Sequence, residues 1–491
     1  MAPRIATGIN GLDEILCGGL TKNRVYLVEG TPGTGKTTVA LQFLLEGLRQ
    51  GESGLYITLS ETREELRAVA ASHGWTLDGL TIFELSPENS QASMQSIFNS
   101  AEIELGETIN DVMRCVEDVK PMRLAFDSLS ELRLLAQNSL LYRRQILVLK
   151  QFFSSQNCTV LLLDDKSSGA SDQQLHSISH GVISLEQFAQ EFGRERRRVN
   201  IIKMRGIKFR GGYHDYALNT GGVTVFPRLI ASGPIQSFDR TVLSSGAPML
   251  DHLLGGGLTP GTNTLMLGPS GIGKTTLLVR CLVTALQRGE RASFYLFDEG
   301  LGTLYARSTA LGMDLRGFVE SGALQIHHID PAELAPGEFA QMLRDAVERE
   351  RVSFVAIDSL NAYLHAMPGE KFLTLQMHEL LSFLNQNGVT TVLVLAQHGL
   401  IGEVRSDLDL SYLSDTTVLM RFFESNGCLR RALTVIKSRT NHHALTIHEL
   451  RLGSGQIEIG EALEGFEGIL TGVPTYRGST PMLKGAGDAI D

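Results

Sequence analysis

Two glycine-rich segments carry the side chains with the clearest chemical meaning. Residues 30–38 read GTPGTGKTT and residues 268–276 read GPSGIGKTT, each between an apolar β-rich run and a helical stretch. This pattern in this context is typical of a phosphate-binding loop. Backbone N–H groups of such a loop turn around the β-phosphate, its lysine bridges the β- and γ-phosphates, and its threonine holds Mg²⁺. A glycine-rich turn without a ligand is the alternative, and two copies at matched positions disfavour it.

The two loops predict nucleotide binding, with ATP and Mg²⁺ as the expected cofactors. The predicted nucleotide-binding residues are Gly30, Thr31, Pro32, Gly33, Thr34, Gly35, Lys36, Thr37 and Thr38 in the first loop and Gly268, Pro269, Ser270, Gly271, Ile272, Gly273, Lys274, Thr275 and Thr276 in the second.

One aspartate ends a hydrophobic strand downstream of each loop. Asp127 follows RLAF, and Asp358 follows FVAI. A carboxylate at the carboxyl end of a neighbouring strand is placed to hold a water of the Mg²⁺ shell. Capping of the following helix is the alternative role for such an aspartate. We therefore predict a metal site formed by Thr37 with Asp127, and a second formed by Thr275 with Asp358.

Hydrolysis also requires a group that orients the attacking water. Glu61 follows one strand, directly after Ser60, and Asp298 and Glu299 follow the matching strand of the other half. Because side chains alternate between the faces of a strand, one residue of each pair should face the phosphates, and alternation alone does not decide which. Stabilisation of the following helix is the alternative role. Glu61, Asp298 and Glu299 are thus the candidate catalytic carboxylates.

Two pairs of cations lie late in each half. Lys203 and Arg205, like Lys437 and Arg439, are two residues apart in a predicted strand and therefore point to one face. Because these strands come after the core strands, we expect the cations to reach the nucleotide of a neighbouring subunit, as an arginine finger supplied in trans does. A solvated sheet face is the alternative. The basic stretch 194–210 would bind polyanions or form a charged hairpin tip, and the hairpin is favoured.

The elements that position these side chains occur twice. The segment GLDEILCGGL at 11–20 matches MLDHLLGGGL at 249–258, and the same offset relates the two glycine-rich loops. Such internal similarity indicates duplication. We predict a first domain over residues 1–235, a second domain over residues 236–458 and a flexible C-terminal tail over residues 459–491.

Short β-rich runs alternate with helical stretches in each half. Continuous apolar strands between helices indicate a parallel sheet that is covered on both faces. Later runs, such as ISLEQF, RRVNIIK and GGVTVF in the first half, are typical of an added β-meander. The predicted fold class is α/β, with two tandem RecA-like P-loop NTPase domains, each a mostly parallel sheet flanked by helices and extended by a β-meander.

Composition limits the classes of function. Of the 491 residues, 43% are hydrophobic and 20% are charged, and the formal net charge of −10 disfavours nucleic acid as a partner. The five cysteines contain no C-x-x-C pair, so neither a zinc ribbon nor a disulfide framework is indicated. The longest apolar runs are far shorter than the ~20 residues that span a bilayer. We expect a cytoplasmic protein with no membrane partner.

The duplicated phosphate loop, the GLDEILCGG leader, the FDSLS and IDSLN strand ends and the K-x-R pairs together resemble the KaiC family of the circadian clock. The resemblance covers nearly the whole chain. It implies an ATP-dependent homo-hexamer in the form of a double ring, with ATP held between subunits and hydrolysed slowly. It further implies serine/threonine autophosphorylation in the second ring, and clock or signalling proteins as partners.

The chain departs from the family pattern at two places. The family has paired glutamates after the second strand, of which the first is taken as catalytic, and that place is Ser60 in the first half and Asp298 in the second. First-domain hydrolysis is therefore an open question. The family's phosphorylated Ser-Thr pair corresponds to Ser411 and Tyr412. Ser411 is the candidate phosphosite, and a two-site phosphorylation cycle is not expected.

Two other functions fit parts of the pattern. A RecA/RadA-like DNA-dependent ATPase would use the same fold, and the net charge and the lack of a Cys₄ zinc motif argue against it. A scaffold that binds ATP only to assemble, without kinase activity, fits Ser60 in the first domain.

Overall fold

The computed structural model describes residues 3–85, 101–136, 138–166, 172–190, 193–230, 237–365, 373–397, 413–425, 427–453, 456–471 and 474–477. The chain divides into two compact units, residues 1–228 and residues 229–491. We call them the first and the second unit and describe each by itself.

The first unit alternates strands and helices along the chain. Its strands are β1 (Arg4–Ile5), β2 (Leu20–Thr21), β3 (Val25–Gly30), β4 (Gly54–Thr58), β5 (Thr81–Glu84), β6 (Arg123–Asp127), β7 (Thr159–Asp165), β8 (Gly181–Phe188), β9 (Arg196–Met204), β10 (Tyr213–Asn219) and β11 (Gly222–Phe226). Its helices are α1 (Leu12–Ile15), α2 (Lys36–Arg49), α3 (Arg63–Ser72), α4 (Ala101–Val119), α5 (Leu129–Ala136), α6 (Ser139–Ser155) and α7 (Asp172–Ile178).

The described strands of the first unit form a nine-stranded sheet in the order β11-β10-β9-β8-β3-β7-β6-β4-β5. The strands from β8 to β5 in this order run parallel, and β9, β10 and β11 continue the sheet as an antiparallel meander. Helices α1 to α3 cover one face, and α4 to α6 cover the other. Because parallel strands end at the same edge, the loops after β3, β4, β6 and β7 meet there.

The second unit repeats this plan. Its strands are β12 (Asn263–Gly268), β13 (Ala292–Leu296), β14 (Leu324–His328), β15 (Phe354–Asp358), β16 (Thr390–Ala396), β17 (Thr416–Ser425), β18 (Cys428–Ser438), β19 (His448–Gly453), β20 (Gln456–Ala462), β21 (Phe466–Glu467) and β22 (Thr475–Tyr476). Its helices are α8 (Pro248–Leu253), α9 (Lys274–Gln287), α10 (Leu301–Ala310), α11 (Arg316–Glu320), α12 (Pro336–Glu348), α13 (Leu360–His365) and α14 (Leu373–Gln386).

The second sheet has the order β14-β13-β15-β16-β12-β17-β18-β19-β20 within the described residues. Its first six strands are parallel and its last three antiparallel, and helices α8 to α10 and α12 to α14 cover opposite faces. This architecture confirms the predicted fold class. The outer strands β5 and β14 are additions that the apolar pattern did not reveal, because they are short and only partly buried.

The range predicted as a tail contains ordered elements. Strand β20 pairs with β19 as far as Ala462, and β21 pairs with β22. Leu463 and Ile469 are buried and pack with Phe423 of β17. Ordered residues therefore lie within the range 459–491. Their apolar side chains pack against the end of β17.

Candidate nucleotide-binding site

The first glycine-rich loop joins β3 to α2 and curls around its own lysine. Gly33 and Gly35 have φ angles of +85° and +88°, which L side chains rarely adopt. The Nζ atom of Lys36 donates to the carbonyl oxygens of Gly30 and Thr31 at 2.9 and 3.2 Å. A Cβ atom on Gly30 would lie 2.7 Å from the carbonyl oxygen of Leu185. The loop therefore has the backbone shape and the cation that a phosphate group requires.

The second loop has the same geometry between β12 and α9. Gly271 and Gly273 have φ angles of +75° and +111°. Lys274 donates through Nζ to the carbonyl oxygens of Gly268 and Pro269, both at 2.8 Å. Burial lowers the pKa of Lys274 to about 8, although the nearby Asp358 acts in the opposite direction. Each loop thus presents a helix N-terminus and an inward lysine to the same edge of its sheet.

A threonine hydroxyl and a strand-end carboxylate meet beside each loop. Thr37 donates through Oγ1 to Oδ2 of Asp127 at 3.3 Å, and Thr275 donates to Oδ2 of Asp358 at 2.5 Å. Burial is the main cause that raises the pKa of both carboxyls, to about 6 for Asp358. The donors are hard oxygen atoms of the kind that Mg²⁺ prefers, so these residues fit a magnesium ion. The predicted metal ligands of each half lie together.

In the first unit, Glu61 faces the site. Its Oε2 atom is buried and has no hydrogen-bond partner among the described residues. Burial, and then the charge of Asp127, raise the pKa of Glu61. The following helix is capped by Thr62 and Glu65, which form a reciprocal capping box. Glu61 is therefore not needed as the cap, and Ser60 is exposed to solvent.

A side chain of the preceding strand sets the orientation of Glu61. Thr58 donates through Oγ1 to the carbonyl oxygen of Glu61 at 2.7 Å and accepts from its N–H at 2.9 Å. The matched position of the second unit is Leu296, which has no hydroxyl group. Leu296 therefore cannot form the two hydrogen bonds that Thr58 makes with the backbone of Glu61.

In the second unit, Asp298 lies near the predicted metal ligands. Its Oδ2 atom accepts from Oγ of Ser359, the residue after Asp358, at 2.5 Å. Glu299 instead forms an ion pair with Arg307 at 2.7 Å. The two units thus present different members of the pair to the site, the second member in the first unit and the first member in the second unit.

The predicted trans cations contact backbone carbonyls within each unit. Lys203 donates to the carbonyl oxygen of His176 and, at 2.9 Å, to that of Ser179. Arg205 donates to the carbonyl oxygen of Ser177 at 2.9 Å. Strand β9, which carries Lys203, is separated from the loop strand β3 by β8. Both side chains therefore lie at the end of α7.

The second pair of cations has the corresponding position. Lys437 donates to the carbonyl oxygen of Ser414 at 2.6 Å, and Arg439 lies 3.8 Å from the carboxylate of Asp415. Strand β17 separates Lys437 from the loop strand β12. Each K-x-R pair thus contacts the segment just before the strand that neighbours the loop strand. That strand is β8 in the first unit and β17 in the second.

The basic stretch 194–210 has many of its charges engaged. Arg197 pairs with Glu195 at 2.8 Å, Arg198 with Asp215 at 3.5 Å, and Arg210 with Glu14 at 2.8 Å. These ion pairs favour the charged hairpin over a surface for polyanions.

Two residues of the first site were not singled out from the sequence. Asp165, the last residue of β7, lies 2.7 Å from Nζ of Lys36. Tyr56 donates its hydroxyl to Oδ2 of Asp127 at 2.6 Å, and burial, followed by the Asp127 charge, raises its pKa. The run TVLLLDD, an apolar strand that ends in two aspartates, was an available signal for Asp165. Tyr56 is a single tyrosine inside an apolar strand, and the sequence contains no signal that marks it as a site residue.

The candidate phosphosite Ser411 and the adjacent Tyr412 lie outside the described residues. The described chain resumes at Leu413, which is buried, and β17 begins at Thr416. In the part of the chain that the structure describes, no helix combines the length and the apolar character needed to cross a bilayer.

Comparison with known proteins gives one consistent result. A family model described as "ATPase: KaiC" matches residues 5–230 and again residues 243–464. The circadian clock oscillator protein KaiC of Thermostichus vulcanus is 29% identical over 484 residues, which cover 96% of this chain and 92% of that protein. The circadian clock protein KaiC3 of Synechocystis sp. is 26% identical over 497 residues, which cover 99% and 97% of the two chains.

Proposed function

We propose that this chain, which belongs to the KaiC ATPase family, binds ATP with Mg²⁺ at both glycine-rich loops and hydrolyses it at both. The observation that carries the proposal is the duplicated constellation of lysine, threonine and aspartate. In each unit the lysine is held in the loop and the threonine hydroxyl meets the strand-end carboxylate. A purely structural turn would not require all three groups twice.

Each side chain has a definite task in this proposal. Lys36 and Lys274 exchange their carbonyl partners for the β- and γ-phosphates. The pairs Thr37 with Asp127 and Thr275 with Asp358 would hold Mg²⁺, which when bound neutralises part of the phosphate charge.

We assign the water-orienting role to Glu61 in the first unit and to Asp298 in the second. Glu61 has a buried oxygen atom that no described residue contacts by a hydrogen bond, which suits a group that accepts one from an incoming water. Asp298 accepts a hydrogen bond from Ser359, the residue after Asp358. Glu299 instead forms an ion pair with Arg307. The serine at position 60 therefore does not deprive the first unit of a catalytic carboxylate.

The K-x-R pairs support an assembly in which ATP joins subunits. Each lysine directly follows a β-bulge in its strand. The bulge in β9 lies opposite the step from Val182 to Ile183 of β8, and the bulge in β18 lies opposite the step from Thr417 to Val418 of β17. The bulged residues are isoleucines, Ile202 and Ile436, which are 42% and 46% exposed. The exposed apolar side chain is suited to packing against a neighbouring subunit, and the adjacent cations are suited to that subunit's phosphates.

We expect ATP and Mg²⁺ to convert the chain into a hexamer that carries up to two nucleotides per subunit, since each loop would bind its nucleotide at a subunit boundary. Native mass spectrometry with and without Mg²⁺-ATP measures both the number of chains and the nucleotides bound. Arg205→Ala combined with Arg439→Ala should weaken the assembly, while Arg49→Ala, which removes an arginine at the end of α2 whose side chain is 67% exposed, serves as the control. A monomer at saturating ATP and micromolar protein would contradict assembly in trans.

Autophosphorylation and a clock-type signalling role are the narrower parts of the proposal. They rest on the resemblance of the second half and on the names of the relatives, which are circadian clock proteins. We expect one main site, Ser411, modified slowly in Mg²⁺-ATP and lost in Lys274→Ala, because Tyr412 projects its hydroxyl farther than a threonine. Phosphopeptide mapping after prolonged incubation decides this. If residues 411–416 carry no phosphate, the chain is an ATPase without this kinase activity.

A further inference from the structure

The first site contains a third carboxylate beside its lysine. Asp165 ends β7, and β7 lies between the loop strand β3 and the strand β6 that ends at Asp127. In the parallel register Asp165 stands opposite Gly30, where the phosphate loop begins. Its Oδ1 atom lies 2.7 Å from Nζ of Lys36, and its backbone N–H donates to Oγ of Ser130 at 3.0 Å. The carboxylate therefore lies beside the loop lysine, and its charge acts on the predicted metal ligand Asp127.

The second site differs at this position. Gly268 stands opposite Ala396 in the equivalent register of β12 and β16. A methyl group replaces the carboxylate, and Lys274 keeps its two carbonyl partners, Gly268 and Pro269. The two sites thus present the same lysine, threonine and aspartate and differ by one negative charge beside the lysine.

We propose that Asp165 is a specificity-determining residue of the first site, which weakens nucleotide binding there and makes it depend more strongly on Mg²⁺. The inference rests on the proposed function, in which Lys36 contacts the β- and γ-phosphates. A phosphate can reach Lys36 only after the ion pair with Asp165 opens, and the carboxylate then remains beside another anion. Mg²⁺ lowers the negative charge of the nucleotide, so Asp165 disfavours the free nucleotide more than the magnesium complex.

The test uses the full chain with the second site disabled by Lys274→Ala. A fluorescent ATP analogue is titrated at constant ionic strength, once with Mg²⁺ and once with EDTA, into this chain and into the same chain with Asp165→Asn. Because the Asp165 side chain is 45% exposed, we expect a moderate gain, with affinity in EDTA rising about fivefold or more. The gain with Mg²⁺ should be smaller, so the ratio of the two affinities should fall.

Two further variants make the result specific. Asp165→Ala reproduces the second site and should act like Asp165→Asn, which keeps the test decisive if one variant does not fold. Ala396→Asp, in a chain whose first site is disabled by Lys36→Ala, should have the opposite effect on the second site. Unchanged or weaker binding in folded Asp165 variants would overturn this inference alone. If adding Lys36→Ala to the Lys274→Ala chain does not lower nucleotide binding, the proposed function fails instead.

Discussion

Replacing Lys274 by alanine is expected to abolish most nucleotide turnover in the second unit, and replacing Lys36 by alanine is expected to impair the hexamer. Each substitution removes the ammonium group that would bridge the β- and γ-phosphates, and the loop carbonyls that it contacts cannot replace a positive charge. Loss of one preorganised charge-stabilising donor typically lowers turnover about 10²–10³-fold. The direct loss of the phosphate contact concerns the unit that carries the substitution, and loss of the ring in Lys36→Ala would in addition remove the trans cations from the second site.

The two lysine variants are matched controls for each other, because they delete the same side chain from loops of the same geometry. Assembly is followed by native mass spectrometry and turnover by phosphate release, and the thermal unfolding of each variant verifies its fold. We expect Lys274→Ala to keep the ring and Lys36→Ala to lose it. Full ATPase in Lys274→Ala together with none in Lys36→Ala would contradict turnover in the second unit.

The second large effect concerns the water-orienting carboxylates. In a chain that already carries Asp298→Asn, the remaining turnover comes from the first unit, and we expect Glu61→Gln to lower it about a hundredfold or more. The amide keeps the size of the side chain and removes the charge that accepts the proton. In the reverse background, Glu61→Gln, the same loss is expected from Asp298→Asn. Steady-state phosphate release measures both.

The neighbouring residue of each pair provides the control. Ser60→Ala should leave first-unit turnover unchanged, since Ser60 is exposed to solvent. Glu299→Gln should have a small effect, because Glu299 is engaged with Arg307 at 2.7 Å. If Ser60→Ala lowers turnover as much as Glu61→Gln, or Glu299→Gln as much as Asp298→Asn, the assignment of the carboxylates is wrong.

Much of the architecture could be predicted from local patterns. The loops at 30–38 and 268–276 are contiguous motifs, so their position between a strand and a helix is readable without any long-range contact. The apolar runs before Asp127 and Asp358 gave the strands β6 and β15, because a strand buried on both faces must be continuously apolar. The duplication supported each of these assignments with an independent copy.

The orientation of the candidate catalytic carboxylates could not be predicted from alternation. Strands β4 and β13 end at Thr58 and Leu296, and the candidate carboxylates lie beyond those ends, where the strand period no longer applies. In the first unit the hydroxyl of Thr58 is hydrogen-bonded to the N–H and the carbonyl oxygen of Glu61, which faces the site. In the second unit a leucine stands there, and Asp298 enters instead.

The sequence by itself determined that this protein has two phosphate loops on two α/β units, because these features are encoded in short, repeated and strongly patterned segments. Only the tertiary structure decided which side chains share each site. The contacts of Lys36 with Asp165 and of Tyr56 with Asp127 join residues that are far apart in the chain. They depend on the order of the strands in the sheet, with β7 between β3 and β6 and β4 next to β6. Strand order is set by the packing of whole elements, which local patterns of residues do not contain.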